Sequence, residues 1–159
     1  MNTTIKEIDI DQKLNELNIS LSGGLTFMPE HIEKIKSRDD LVFAESLTQL
    51  RKLFKANGVE FATLGFDDSR FRARKSAELF LPGLFISLSL LSENPTVISV
   101  ALSVLANYVT EFFKGKVGAK NASIEIYIEK TNEKKVTQIS YNGDAEGIKN
   151  LENIIKNLK

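Results

Sequence analysis

The chain concentrates positive charge in one short segment, called here the basic cluster. Its residues are Arg70, Phe71, Arg72, Arg74 and Lys75. Arginines that neutralise phosphates, beside an aromatic ring that stacks on a base, would form a nucleic-acid or polyanion site. Asp67, Asp68 and Glu78 lie close by and offset the local field. A solvated helix face with internal ion pairs is therefore the favoured interpretation, and the stretch SRFRARKSAELF is predicted to begin a helix.

Catalytic and metal-binding patterns are weak throughout the sequence. The chain has one histidine, His31, and no cysteine, and Glu33 lies two positions from His31, which does not place both on one helical face. Asp9 and Asp11 lack the spaced oxygen ligands of a cation loop, so a cap or turn explains them better. Gly23-Gly24 lacks the lysine of a phosphate-binding loop. We therefore predict no enzymatic activity, no metal and no cofactor.

Composition limits the class of protein. Lys plus Arg and Asp plus Glu both number 21, so no global field attracts nucleic acid or anionic lipid. A secretory signal has a basic region, an apolar region and a small-residue cleavage site in that order, and the start, MNTTIKEIDIDQK, does not show them. We therefore predict a cytoplasmic location. A length of 159 residues at 42% hydrophobic suits one well-buried core. We expect one domain over 1–159, with a possible subdivision into an N-terminal α/β part, 1–78, and a remainder, 79–159.

The most unusual feature is an apolar block over residues 79–113, which holds two charges, Glu93 and Glu111. Pro82-Gly83 and Glu93-Asn94-Pro95 divide it into pieces shorter than the roughly 20 apolar residues that span a bilayer. A membrane-inserting hairpin is therefore a disfavoured alternative. We expect the block to exceed what one small core absorbs, so that a second copy or another protein covers part of it. The candidate contact residues are Leu84, Phe85, Leu88, Ser99, Ser103, Asn107, Tyr108 and Phe112.

Apolar spacing predicts an α+β fold in which helices pack on a mainly antiparallel sheet. The predicted helices are 40–56, 95–113 and 144–158, and the predicted strands are 123–130 and 135–141. The second half thus ends in a helix-strand-strand-helix unit that includes a β-hairpin. For 84–91, alternation favours a strand, but the neighbouring apolar run allows a helix. Residues 1–24 fit either two short strands or one strand and a helical turn around Leu14.

The second half also resembles a known family. The relevant segments, in order, are ISVALSVLANYVTEFF, IEIYIEK, KKVTQISYNGD and AEGIKNLENIIKNL. This order of an apolar helix that ends in aromatics, a hairpin and an amphipathic helix resembles the effector-associated constant component family of bacterial conflict systems, over roughly 79–158. The resemblance implies an accessory or adaptor module of bacterial antiviral defence, and it carries over no catalytic residues.

These observations predict a non-enzymatic protein-interaction module, a regulator or adaptor, that works through an apolar interface with itself or with a partner. Two alternatives remain: a nucleic-acid-binding protein that uses the basic cluster, and a membrane-inserting effector that uses residues 79–113.

Overall fold

The structure, a computed structural model, describes residues 2–21, 23–65, 70–72, 78–118, 120–130 and 136–158. The elements in chain order are β1 (Asn2–Ile8), α1 (Asp11–Glu16), β2 (Leu25–Met28), β3 (Val42–Ala44), α2 (Leu47–Ala56), β4 (Ala62–Thr63), β5 (Arg70–Arg72), β6 (Leu79–Phe80), β7 (Gly83–Ile86), α3 (Leu88–Glu93), α4 (Pro95–Phe113), β8 (Ala122–Glu129), β9 (Val136–Gly143) and α5 (Ala145–Asn157). Two 3-10 turns, Ile32–Lys34 and Arg38–Asp40, precede β3. This arrangement confirms the predicted α+β fold.

One mixed sheet organises the fold, with strand order β1-β9-β8-β7-β2-β4 and β6 beside β8. The longest ladders are antiparallel: β9 pairs with β1 over seven residues and with β8 over eight. The other pairs of β8, with β6 and β7, are parallel and short. Strands β3 and β5 form a separate parallel pair. Strands from both halves of the chain therefore share the main sheet.

Strands β6 and β7 run along β8 as one interrupted strand. Leu79 pairs with Ala122, whereas Leu84 pairs with Ile126, so the register shifts by one residue between them. Pro82 lies at this shift, and it has no N–H to offer a ladder. Before the shift, the N–H of Leu81 still donates to the Ser123 carbonyl at 2.9 Å. The interruption predicted at Pro82-Gly83 is thus a local bulge in an otherwise continuous strand.

The main core lies between one face of the sheet and helices α2, α4 and α5. Alternate residues of β8, Ile124, Ile126 and Ile128, point into it, as period-two strand geometry requires. Helix α5 begins as predicted, because the Asp144 carboxylate accepts from the Gly147 N–H at 2.9 Å. The predicted helices 95–113 and 144–158 and the predicted hairpin strands are confirmed.

A second, smaller core covers part of the opposite sheet face. Phe85 and Tyr127 project from adjacent strands toward α1 and the segment that follows β2. The covering residues share an apolar character and are Ile10, Leu14, Leu17, Ile32, Ile35, Leu41 and Leu64. The structure therefore selects one strand and a helical turn around Leu14 for the N-terminal segment.

The sequence prediction was wrong at two segments. The helix predicted over 40–56 begins only at Leu47, because Val42–Ala44 forms β3, where Phe43 pairs with Phe71 of β5. The helix predicted in SRFRARKSAELF is contradicted at both described ends, since Arg70–Arg72 and Leu79–Phe80 are strands, while 73–77 lie outside the described residues. In both places, strand pairing with a distant segment overrides local helical spacing.

The open question at 84–91 resolves into both alternatives in succession. Strand β7 ends at Ile86, and α3 begins at Leu88. Ser87 makes the junction: its hydroxyl accepts from the N–H of Leu90 at 3.2 Å and from the N–H of Gly24 at 2.8 Å. The side chain thus caps α3 and also anchors the turn before β2.

Helix α4 is long and apolar enough to cross a bilayer by length and composition alone. In the fold one side of this helix packs into the main core. Eight of its residues are buried, among them Leu102, Leu105 and Val109 in the main core. A helix that is mainly apolar around its circumference is expected in such a position.

Candidate partner-binding groove

A groove of about 810 Å³ lies between α2 and the C-terminal half of α4. We call it the α2–α4 groove. Its described lining residues are Glu30, Ala44, Glu45, Ser46, Thr48, Gln49, Leu53, Asn57, Glu78, Leu79, Phe80, Val104, Asn107, Tyr108, Glu111 and Phe112. The α4 members recur at intervals of three and four, which aligns them as one stripe along the helix. One wall of the groove is therefore a helix face, while Glu30, Glu45 and Glu78 come from the connecting segments.

Local contacts fix the walls of the groove. Ser46 is buried and its hydroxyl donates to the Phe80 carbonyl at 2.9 Å, which ties the start of α2 to β6. On the inner side of α2, Leu47, Leu50 and Phe54 are buried in the main core. Helix α2 therefore turns its remaining polar face, including Thr48 and Gln49, toward the groove.

Aromatic rings supply the apolar part of the groove. Tyr108 and Phe112 are half-buried, one turn apart on α4. Phe112 packs edge-to-face on Phe113, with ring centroids 4.9 Å apart, which fixes the position of its ring. The Lys116 ammonium lies 3.7 Å from the centroid of the Phe112 ring, so this ring already holds a cation.

Carboxylates give the groove its charge. Four of its described lining residues are glutamates, Glu30, Glu45, Glu78 and Glu111, and no lysine or arginine occurs among the described lining residues. Burial, and secondly the nearby Glu45 carboxylate, raises the pKa of Tyr108 above its ordinary value. Glu78 accepts hydrogen bonds from the side chains of Ser123 and Asn142. Glu111 forms an ion pair with Lys114 at 4.0 Å, so part of this charge is offset, and the groove combines aromatic rings with carboxylates in one lining.

The predicted contact residues fall into different places. Asn107, Tyr108 and Phe112 come together in the α2–α4 groove. Ser103 is exposed on α4. Ser99 instead donates to the Glu152 carboxylate of α5, and this hydrogen bond, followed by that of Lys156, lowers the pKa of Glu152. The seam of polar residues on α4 is therefore divided between a helix–helix contact and the surface.

The remaining contact candidates lie away from the groove. Leu88 is half-buried, and its N–H donates to the Glu129 carboxylate at 3.0 Å. Leu84 and Phe85 are each 1% exposed, on opposite faces of the central strand β7, one in each core. Their inclusion as interface residues was wrong, because both sheet faces are covered at β7.

The predicted surplus of exposed apolar surface was also wrong. Among the described residues, the exposed large hydrophobic side chains are Ile5, Phe71, Val100 and Val117. Of these, only Val100 belongs to the apolar block, at 36% exposed. The fold has two separate cores, so it absorbs more apolar area than a single small core would.

The basic cluster is only partly described. Arg70, Phe71 and Arg72 form β5, parallel to β3, and Phe71 is 47% exposed. Arg74 and Lys75 lie outside the described residues. The exposed Phe71 ring is thus on a strand, next to arginines in sequence, rather than on the predicted helix.

A second cavity, of about 310 Å³, lies on the sheet face opposite α4, where the second core ends. Its polar groups include Glu125, Ser140 and Asn142 of β8 and β9, with His31 at the margin. Glu30 and Phe80 line both cavities, so the two adjoin. Over the described part of the chain, no three side chains of His, Asp or Glu are grouped as a metal site would require.

Sequence reasoning missed most of the groove. Of its described lining, only Asn107, Tyr108 and Phe112 were among the predicted contact residues, and none of the residues of α2 or of the glutamates was. Comparison with protein-family models, curated proteins and solved structures finds no match to this chain.

Proposed function

We propose that this chain is a non-enzymatic protein-interaction module, a cytoplasmic regulator or adaptor, that binds a basic amphipathic segment of a partner protein in the α2–α4 groove. The observation that carries the proposal is the groove itself, whose lining combines half-buried Tyr108 and Phe112 with Glu45 and Glu111. An amphipathic helix that lies in a groove between two helices is a common mode of peptide recognition.

Charge complementarity determines the chemistry of the partner. A segment with leucine or aromatic residues on one side would cover Tyr108 and Phe112, and lysines or arginines at its margins would meet the glutamates. Lys116 on the Phe112 ring is an internal precedent for this contact. The pattern-level resemblance of 79–158 to an adaptor family of bacterial defence systems supports such a role, and membership of that family would make the partner an effector of such a system.

The first experiment uses two labelled synthetic peptides of about 16 residues, long enough for a stable bound helix. Both carry the same leucine face, and the other positions are lysine in one peptide and glutamate in the other. Fluorescence anisotropy should show binding of the lysine peptide, weakened by salt, and little binding of the glutamate peptide. Equal binding of the two peptides would mean that the groove does not select basic partners.

Matched variants locate the binding. Glu45→Lys and Phe112→Ala should each weaken binding by roughly tenfold or more, because one reverses the charge at the rim and the other removes an aromatic anchor. Glu93→Lys makes the same charge change at an exposed glutamate outside the groove, and Val100→Ala trims an exposed side chain of the same helix. These controls should retain wild-type affinity. If the groove variants behave like the controls, the proposal fails.

A second candidate function rests on the exposed ring of Phe71 between Arg70 and Arg72. As a nucleic-acid-binding protein, the chain would retard DNA or RNA in a salt-dependent manner, and the triple variant Arg70→Ala, Arg72→Ala, Arg74→Ala would abolish the retardation. Retardation that persists in the triple variant would eliminate this candidate.

A further inference from the structure

The strand at one end of the main sheet, β1, pairs along one side only, and within the described residues no strand pairs with its other edge. It pairs with β9 from Asn2↔Asn142 to Ile8↔Val136, and it is the last strand in the sheet order. Its residues from Thr3 to Glu7 are all exposed, and Ile5 is 51% exposed. The strand at the other end, β4, has two residues. The fold therefore leaves one long edge whose N–H and C=O groups face outward.

Soluble proteins usually protect such an edge with charged side chains, especially lysine, or with a proline, a bulge, a covering element or a very short strand. Strand β1 contains no proline, and its seven pairs with β9 follow one another without a bulge. Its charged side chains form ion pairs, Lys6 with Glu33 and Glu7 with Lys130. These pairs lie above and below the sheet, since Lys6 and Glu7 are neighbours on a strand and project to opposite faces.

We infer that two copies of this chain pair antiparallel through their β1 strands, so that the sheet continues from one copy into the other. The two-fold axis passes beside Ile5, perpendicular to the sheet. This register places Ile5 opposite Ile5 of the second copy, Thr3 opposite Glu7, and Thr4 opposite Lys6. No two like charges stand opposite each other, and all seven residues of β1 are paired.

Neighbouring registers are less favourable. A pairing centred on Lys6 sets two ammonium groups against each other, and a pairing centred on Thr4 leaves Ile5 opposite Thr3 and shortens the ladder. Like charges directly opposite on a sheet are destabilising, while apolar pairs are stabilising. The sequence of β1 is therefore self-complementary in one register.

The main core explains why Ile5 is the centre of the contact. Ile5 pairs across the ladder with Ile139, which is fully buried in that core. Rotation about an axis perpendicular to the sheet keeps the helices of both copies on the same side. The two Ile5 side chains then meet between the two cores and extend their apolar layer. Because one strand edge buries less area than a standard protein interface, the dimer is weak and depends on concentration.

Sedimentation velocity of the full chain over a concentration series tests the inference. The 17.8 kDa monomer should shift toward twice that mass as concentration rises. Ile5→Lys should raise the dissociation constant by roughly tenfold or more, because it replaces the central apolar pair by opposed charges. Val100→Lys, at the exposed valine of α4, is the matched control and should dimerise like the wild type. Circular dichroism checks that both variants remain folded.

A pair of variants at Thr3 tests the register. Thr3→Lys faces Glu7 of the second copy and should strengthen the dimer, whereas Thr3→Glu should weaken it, each by roughly two- to thirtyfold from two symmetrical cross-strand pairs. A chain that stays monomeric throughout the series, or a dimer indifferent to Ile5→Lys, overturns the inference. If Thr3→Lys and Thr3→Glu change the dissociation constant in the same direction, the proposed register is wrong. The α2–α4 groove lies on a different surface from β1, so the outcome of the peptide-binding experiment does not affect this test.

Discussion

Replacing one buried and one exposed side chain of α4 by alanine should show whether α4 is a core helix or an interface or membrane helix. Leu105 is fully buried in the main core, and Val100 on the same helix is 36% exposed. We expect Leu105→Ala to lower the free energy of unfolding by about 3–4 kcal/mol, and Val100→Ala to change it by less than about 0.5 kcal/mol.

The two magnitudes follow from burial. Leu105→Ala removes three carbons, at about 0.8 kcal/mol for each buried CH₂, and the unfilled cavity adds about 1 kcal/mol. Val100→Ala removes two carbons whose surface already meets water in part, so the loss is about 1 kcal/mol at most. Alanine also favours a helix over valine by about 0.5 kcal/mol, which offsets half of that loss.

Urea unfolding followed by far-ultraviolet circular dichroism measures both free energies. The melting temperature of Leu105→Ala should fall by roughly 7–14 °C for a chain of this size. Similar small effects in the two variants would show that α4 does not belong to the core, and its assignment as a core helix would be wrong. Liposome flotation of the wild type adds an independent check, since a core helix leaves the protein in the aqueous fraction.

Three further predictions concern single contacts. Ser99→Ala should lower the free energy of unfolding by about 0.5–1.5 kcal/mol at neutral pH, because it removes a hydrogen bond to the Glu152 carboxylate. The fold lowers the pKa of Glu152, so this stabilisation is present above the ordinary carboxyl pKa near 4.5 and is lost as pH falls through the folded pKa. The stabilities of the wild type and the variant should therefore converge in acid. Gly83→Ala should lower the free energy of unfolding by about 1–3 kcal/mol, because a Cβ there would lie 3.1 Å from Tyr127 Cε2 and 3.2 Å from Met28 Cβ. At Gly23 the nearest neighbour of a Cβ would lie at 3.8 Å, so Gly23→Ala should leave the melting temperature unchanged. Asp144→Ala should cost about 0.5–2 kcal/mol through the loss of the α5 cap, and Asp144→Asn, which keeps a capping oxygen, should cost less by the same urea assay.

Sequence patterns sufficed where one face of an element was buried and its opposite face was polar. In β8, Ile124, Ile126 and Ile128 alternate with Glu125, Tyr127 and Glu129, and α5 repeats apolar residues at helical spacing, so both elements were predicted with nearly correct bounds. Strand β2 was missed because all four of its residues are buried, which leaves no alternation to detect.

The remaining elements were hard to predict because they depend on pairing between segments that are distant in sequence. Phe43 fits a helical stripe with Leu47 and Leu50, yet its strand is held by β5, and no local pattern records that partner. The groove has the same limitation. Tyr108 and Phe112 were identified from the apolar run, but the glutamates opposite them come from other elements, and only the fold brings these groups together.

The pairing of β1 with β9 also bears on synthesis of the protein in the cell. Strand β1 is synthesised well before β9, so its ladder forms only after β9 has emerged from the ribosome. Such distant pairing makes completion of the sheet a slow, late event. Until then, the nascent polypeptide exposes β1 without its partner strand, and folding is vulnerable to aggregation. A holding chaperone should therefore increase the yield of native protein more than faster translation would.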